Sequence, residues 1–385
     1  MGPFDYILTG GGMAGLSLAY HMHQSPLHDK EILIVDREPK FENDRTWCFW
    51  TREKTAFEPI LYRNWNRLQF HHHNFSKTYS LAPYRYQMLR GIDFYQHTQA
   101  ELKKAKNIHF LYGDVQEITS ETQGASVLVD GRRYQAKWVF DSLFLPGEFK
   151  PEPDRYHNLW QHFKGWVINT QRDVFDPESP TLFDFRTPQA GAMRFIYILP
   201  FSKREALVEY TLFSPKLLTE EAYNAGIEGY IRDVLGLSSY DILEEEQGRI
   251  PMTDQPFPRF SGPFHMPIGT KGGRVKPSTG YTFLRTQQDS QAIVRSLLQL
   301  DDPTHIPPDR RQFRLFDSIM LEVMEKNGGR MSEIFTAMFK HNPIQRIFRF
   351  LDEDSQMLDH LALFSSVPPG PFLKALMKTG LSPGR

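Results

Sequence analysis

The stretch Phe4-Asp5-Tyr6-Ile7-Leu8-Thr9-Gly10-Gly11-Gly12-Met13-Ala14-Gly15, with Leu16 to His23 behind it and Ile32-Leu33-Ile34-Val35-Asp36 beyond, decides the fold. Phe4 to Thr9 reads as a short buried strand, the glycines as a tight turn, Leu16 to His23 as the opening of a helix, and Ile32 to Val35 as a second strand closed by Asp36. This order is that of a dinucleotide-binding unit. Gly10 permits the turn, Gly12 lets backbone approach a pyrophosphate, and Gly15 lets helix and strand pack closely. The helix N-terminus faces the phosphates, and Asp36 accepts from a ribose hydroxyl. A glycine pattern alone is weak; the strand before, the helix after and the acid closing the next strand make it specific. It fits FAD at least as well as NAD.

The whole chain narrows the function classes. At 385 residues, 40% hydrophobic and 24% charged, it is long enough for one large core or two domains. A net charge of -1 supplies no basic field for a nucleic-acid backbone, so no nucleic-acid partner is expected. The single cysteine, Cys48, rules out an internal disulfide and a multi-cysteine metal site, and reads as a buried packing residue. No segment offers the run of apolar residues a spanning helix needs, and no signal peptide opens the chain, so a cytoplasmic location is expected. The 30 Phe, 16 Tyr and 6 Trp make 14% of the residues, enough large rigid surface to line a long hydrophobic pocket or to fill an aromatic core.

Along the chain, residues 1–150 read as the nucleotide-binding region with insertions. The dense stretch Asn43-Asp44-Arg45-Thr46-Trp47-Cys48-Phe49-Trp50 has to fold back on something large and flat: either its aromatics wall a pocket and Arg45 serves a phosphate or flavin edge, or it is an inward-packed Ω-loop. Alternation along a strand lets at most His71 and His73 share a ligand, with no carboxylate close in sequence, so no metal site is expected. Tyr84 to Lys104 has helical spacing, Asp130-Gly131 marks a hairpin, and Lys137 to Asp141 reads as a buried strand returning to the nucleotide sheet. Residues 151–250 read as an antiparallel sheet, the place for a substrate region. There Leu207-Val208-Glu209-Tyr210-Thr211 sets one carboxylate in an apolar, aromatic strand; facing a cavity, Glu209 would be a proton donor, and facing water, an ordinary surface charge. Glu244-Glu245-Glu246 reads as a solvated charge run. Residues 251–300 return to the nucleotide region through Gly269, Gly272, Gly273 and Gly280, whose exposed amides suit a phosphate or flavin carbonyl. Residues 301–385 are helical, packed on the core or lying on a membrane surface.

The glycine unit ending at Asp36, Asp-Arg-Thr-Trp-Cys-Phe-Trp at 44–50, the strand around Glu209, Arg249 to Thr253, and Lys276-Pro-Ser-Thr-Gly-Tyr281 together resemble the flavoprotein lycopene cyclases of bacteria. The resemblance spans about residues 4 to 290. It implies an α/β fold: an FAD-binding Rossmann-like domain with an inserted antiparallel-sheet substrate domain and a helical C-terminal region. It implies conversion of the ψ-ends of lycopene to β-rings with no net redox change, Glu209 protonating the terminal double bond or supporting that step. Reduced FAD is the implied cofactor, with NAD(P)H as electron donor. Expected cofactor contacts are Gly10, Gly12, Gly15, Asp36, Arg45, Asp141, Gly269, Gly273, Thr279 and Gly280; expected pocket residues are Trp47, Phe49, Trp50, Tyr210 and Tyr281. The implied partners are lycopene and related acyclic or monocyclic carotenes, met by peripheral contact with the inner face of the cell membrane. Lys276, Thr270 and the Ser142-Leu143 pair depart from the residues usual at these positions. The rival readings are an FAD-dependent prenyl reductase or monooxygenase acting on a long apolar substrate, and a non-enzymatic carotenoid or lipid carrier.

Overall fold

In the computed structural model, which describes residues 3–144 and 147–380, Phe4–Thr9, Ile32–Asp36 and Ile108–Tyr112 lie side by side as parallel strands. Arg132–Asp141 joins the other side of Phe4–Thr9 in parallel, and His265–Pro267 pairs in turn with its last residues. Gly124–Val129 and Val115–Glu121 complete this sheet by antiparallel pairing. Both faces are covered, which is why Ile7, Leu8 and Val35 are all fully buried and the strands read as unbroken apolar runs. Met13–His23 and Phe283–Leu300 pack together over one face. Thr9, Asp36 and Asp141 therefore end at one edge, where open α/β sheets bind ligands. The hairpin turn at Asp130-Gly131 has φ of 46° and 77°, the paired positive values its sequence predicts.

The second sheet runs, in spatial order, Asp241–Thr253, Asn158–Asn169, Glu205–Ser214, Met193–Pro200, Thr181–Asp184, Arg67–His72 and Phe75–Ser80. The expected 151–250 region thus gains two strands from before residue 150. Leu68 and Phe70 alternate inward and are buried, and Phe70 stacks on Phe339 with ring centroids 4.6 Å apart, which ties this early hairpin to the C-terminal helices. Glu220–Asp233 covers the outer face through Ile227, Tyr230 and Ile231. Arg311–Asn327, Met331–His341, Ile344–Leu351, Met357–Ser365 and Pro369–Gly380 close over the inner face. Residues 381–385 of the expected C-terminal region lie outside the described residues. No helix among the described residues is long and apolar enough to cross a membrane.

Two expectations are corrected between the sheets. The tryptophan-rich stretch is not a loop: Thr46–Thr51 is a strand, and it pairs with Arg85–Arg90, which also pairs with Arg63–Trp65. The helix expected from Tyr84 therefore begins only at Gly91. The alternative pattern in Arg-Tyr-Gln-Met-Leu-Arg prevails because β-branched and aromatic neighbours in Thr46–Thr51 supply a partner strand, and local spacing is blind to partners.

Candidate active site

A cavity of about 800 Å³ begins at Gly12, Met13 and Ala14, passes between the two sheets, and ends among Phe335, Phe339 and Phe348 beneath the C-terminal helices. Its first end is the glycine turn. Gly10 has φ +99°, and a Cβ on Gly15 would lie 2.0 Å from the Gly10 carbonyl oxygen, so helix and strand touch as the motif requires. A Cβ on Gly12 would meet nothing within 4 Å: this is open ground beside helix-terminal amides that no side chain caps. Gly11 N–H donates to Asp36 Oδ2 over 2.8 Å, which fixes the carboxylate at the edge of the turn. Arg45 stands exposed at the rim, donating to the Asp44 carbonyl over 2.9 Å.

The loop after His265–Pro267 closes this end. Gly269, at φ +60°, would place a Cβ 2.5 Å from Ala14 Cβ, so the loop lies directly on the helix start. Gly280, at φ +74°, faces Gln161, whose Oε1 is buried without a partner among the described residues. Gly269, Thr270, Thr279 and Gly280 line the cavity; Gly273 turns away, against Phe257. Asp141 does not line the cavity. It is fully buried, accepting from Thr9 Oγ1 at 2.7 Å and Leu143 N–H at 3.0 Å and pairing with Lys271 at 2.6 Å. Burial pushes its carboxyl up, but the bonds from His265 and Lys271 outweigh it and hold it below the ordinary range. It fastens the closing loop to the strand end. The open ground at Gly12, the tight cradle at Gly10 and Gly15, and the orphan Gln161 Oε1 fit a flavin dinucleotide.

Beyond this end the cavity wall is aromatic and carries an acid. Glu209 projects from Glu205–Ser214 into the cavity with Leu207, Thr211 and Phe213, and Thr211 Oγ1 donates to its Oε1. It is 8% exposed. Burial, and then the nearby charge of Glu246, push the Glu209 carboxyl well above the usual range, so the neutral acid is favoured. Around it, Trp50 packs edge-on to Tyr281 at 4.6 Å and face-to-face on Phe348 at 4.4 Å, while Tyr86 and Tyr197 hydroxyls share a 2.6 Å hydrogen bond. Cys48 also lines the wall, half-buried, its thiol pushed up to about 12 chiefly by burial, so it is neutral and not simply core filling.

This arrangement matches the comparisons with known proteins. A family model described as "Lycopene cyclase protein" matches residues 5–377. The chain belongs to the lycopene cyclase family. A lycopene beta-cyclase of Pantoea ananas is 25% identical, covering 97% of this chain and 97% of that protein. A chloroplastic neoxanthin synthase of Solanum tuberosum is 24% identical over 77% of this chain, and the match spans only 61% of that longer relative. Among solved structures, a geranylgeranyl bacteriochlorophyll reductase-like protein of Thermoplasma acidophilum (TM-score 0.61, 12% identical, covering 98% and 99% of the two chains) shares the fold. So does a flavoprotein/dehydrogenase of Cytophaga hutchinsonii (TM-score 0.60, 13% identical, covering 98% and 100%).

Within this lycopene cyclase framework, two expected pocket residues lie elsewhere. Tyr210 alternates to the face opposite Glu209, where it packs under Glu220–Asp233 against Gly226 and accepts from Arg194 Nη1 at 3.1 Å. Phe49 likewise turns from the cavity and stacks on Phe283 at 4.7 Å, whereas Trp47, Trp50 and Tyr281 do line it. Glu246 is the larger correction: instead of belonging to a solvated run, it is half-buried beside Glu209 and accepts from Thr46 Oγ1 at 3.1 Å. Tyr86 and Tyr197 also escaped the sequence reading. For Glu246 the available signal was Gly165, a glycine inside a long strand, which marks a close approach.

Proposed function

We propose that the chain is a lycopene beta-cyclase of carotenoid biosynthesis, closing the ψ-ends of lycopene to β-rings, through γ-carotene to β-carotene, by acid-initiated cyclisation without net redox change. The observation that carries this reading is a buried carboxyl favoured in its neutral form, set in the aromatic wall of a cavity that opens on a dinucleotide fingerprint. Glu209 gives its proton to the terminal double bond. The cation so formed is attacked by the neighbouring double bond, and loss of a proton from the ring leaves the product. Trp50, Tyr86, Tyr197 and Tyr281 turn rings and phenol oxygens toward this region, and such surfaces stabilise a cation that water would otherwise quench. Gly12 and the amides after it would hold the FAD pyrophosphate and Asp36 a ribose hydroxyl, with Gly269, Thr279 and Gly280 toward the ring system. Bound there in its reduced form, with NAD(P)H as electron donor, FAD would supply negative charge to stabilise a cation.

The substrate class implies a lipid surface. Met357, Leu358 and Leu361, and Leu373, Leu376 and Met377, are exposed on the last two helices beside Lys374, a composition suited to peripheral contact with an anionic cytoplasmic leaflet. Co-expression in a lycopene-accumulating bacterium, with chromatography of the pigments, tests the activity. β-Carotene or a one-ring product is expected, and unchanged lycopene beside folded, flavin-loaded protein would refute it. The likeness in fold to the reductase-like Thermoplasma protein favours a second reading, reduction or oxygenation of another long apolar substrate. That activity consumes NAD(P)H in proportion to product, whereas the cyclase yields an isomer.

A further inference from the structure

The mechanism above uses one of two carboxyl groups that share the cavity wall. Glu209 and Glu246 sit on strands separated by a third, Asn158–Asn169, and both pair with the same residue of it, Gly165. Two strand spacings put their backbones roughly 9–10 Å apart. Their side chains can therefore meet only across a position that has no side chain of its own. A Cβ at Gly165 would stand 3.2 Å from Glu209 Cβ, in the space the two carboxyl groups cross. The two carboxyl groups come together across this gap, each acting on the other's ionisation, with Thr211 donating to Glu209 and Thr46 to Glu246. Two carboxylates so placed repel, and two neutral acids leave no base for the proton that the ring loses, so one proton on the pair is the state that serves both steps.

We propose that Glu209 and Glu246 work as one acid–base unit carrying a single proton, Glu209 delivering it to the terminal alkene and Glu246 recovering the proton the ring loses. The inference rests on the cyclase reading. In the first step the O–H bond of Glu209 breaks and the alkene π pair forms a C–H bond, leaving a tertiary cation. The π pair of the second alkene then forms the ring C–C bond and moves the cation onto the ring. Finally a ring C–H bond breaks, its electron pair becomes the new double bond, and its proton passes to Glu246 and back to Glu209. Nothing is oxidised or reduced, and no external base is used.

The surroundings support this division of roles. Glu246 is raised as well, chiefly by burial, but less than Glu209, because the bonds from Glu209 and Thr46 and the charge of Arg45 offset part of the rise while the charge of Glu244 adds to it; of the two, Glu246 is the one that ionises first. Cys48, Tyr197 and Tyr281, which also face the pair, are all raised and stay neutral.

The test uses flavin-loaded enzyme, lycopene in phosphatidylcholine vesicles, and the variants Glu246→Gln, Glu246→Asp and Glu209→Gln across about pH 5 to 9. General acid–base groups contribute about 10²–10⁴-fold. Glu246→Gln should bind FAD normally, lose about 100-fold or more in turnover, lack the low-pH limb set by protonation of the base, and shift its alkaline limb to lower pH. Glu246→Asp should restore both limbs. Wild-type turnover and pH profile in Glu246→Gln would overturn the proposal. Infrared difference spectra at neutral pH read the shared proton without turnover: one protonated carboxyl, absent in Glu209→Gln and altered in Glu246→Gln, is expected. A difference of two protonated carboxyls, or of none, between wild type and Glu209→Gln would also overturn it. If wild-type enzyme leaves lycopene unchanged, the cyclase reading and the return of the ring proton fall together, and the infrared result alone decides the shared proton.

Discussion

Replacing Gly165 with alanine adds one methyl group where the two carboxyl groups meet. The new Cβ would lie 2.9 Å from Leu207 Cδ1, 3.2 Å from Glu209 Cβ and 3.3 Å from Glu209 Cγ. The Leu207 methyl is the end of a flexible side chain and can turn aside. Glu209 Cβ is fixed to its strand and must yield by a few tenths of an ångström. Overpacking a tight interior costs about 1–3 kcal/mol, and with one contact able to relax, the loss here should be about 1 kcal/mol. In a chain of this length that lowers the melting temperature by only about 1–2 °C. Turnover should suffer far more, because the methyl stands between donor and partner, and a misplacement of about 1 Å costs on the order of 10²-fold. Thermal unfolding of the flavin-loaded protein and steady-state conversion of vesicle-borne lycopene would be measured together. A small change in melting with a tenfold to hundredfold fall in kcat and little change in KM is expected. Full turnover in Gly165→Ala with a wild-type pH profile would refute the claim that this glycine exists to let the carboxyl groups meet.

Other consequences are as direct. At Gly12 the backbone φ of −85° suits any residue and no atom stands within 4 Å of a Cβ, so Gly12→Val should leave unliganded stability within about 0.5 kcal/mol yet weaken FAD at least tenfold by flavin titration. His157, buried with ring nitrogens 2.8 Å from Asp254 and 2.7 Å from Glu322, is lowered by burial but raised overall by those carboxylates. Its stabilisation is therefore complete below about pH 6.5 and is lost as pH rises through the elevated folded value, so His157→Gln should cost about 3–5 kcal/mol in urea unfolding near pH 6 and markedly less near pH 9. On the helix Met357–Ser365, Leu358 and Leu361 are 78% and 60% exposed, so the double change to aspartate should spare melting but weaken binding to anionic vesicles on the order of 100-fold in sedimentation.

What the sequence made legible follows from the range of the forces involved. The first βαβ unit is local: strand, turn and helix are specified by adjacent residues, and Gly10, Gly15 and Asp36 stand as their spacing implies. Strand alternation grouped Glu209 with Leu207 and Thr211 and, applied one residue further, sets Tyr210 on the opposite face, but it does not say which face meets the cavity. Arg85–Arg90 was misread because its strand character comes from Thr46–Thr51, far off in the chain. Glu246 looked like surface charge because its partner enters only when three strands come into register. Local composition cannot encode that meeting, although the glycine in the middle strand marks where it occurs.

The order of strands also constrains how the chain is made. Arg67–His72 waits for Thr181–Asp184, and the edge strand His265–Pro267 pairs with Arg132–Asp141 only after the second sheet has been synthesised in between. Both pairings are parallel and distant in sequence, the kind whose loop-closure entropy slows folding. A ribosome-bound chain therefore carries apolar strand edges through much of its synthesis, and the loop that closes over the nucleotide cradle arrives only after the strands 158–253. Flavin supply during translation should consequently govern the yield of folded protein, because a ligand that binds only the completed cradle draws the late-closing chain toward the native state.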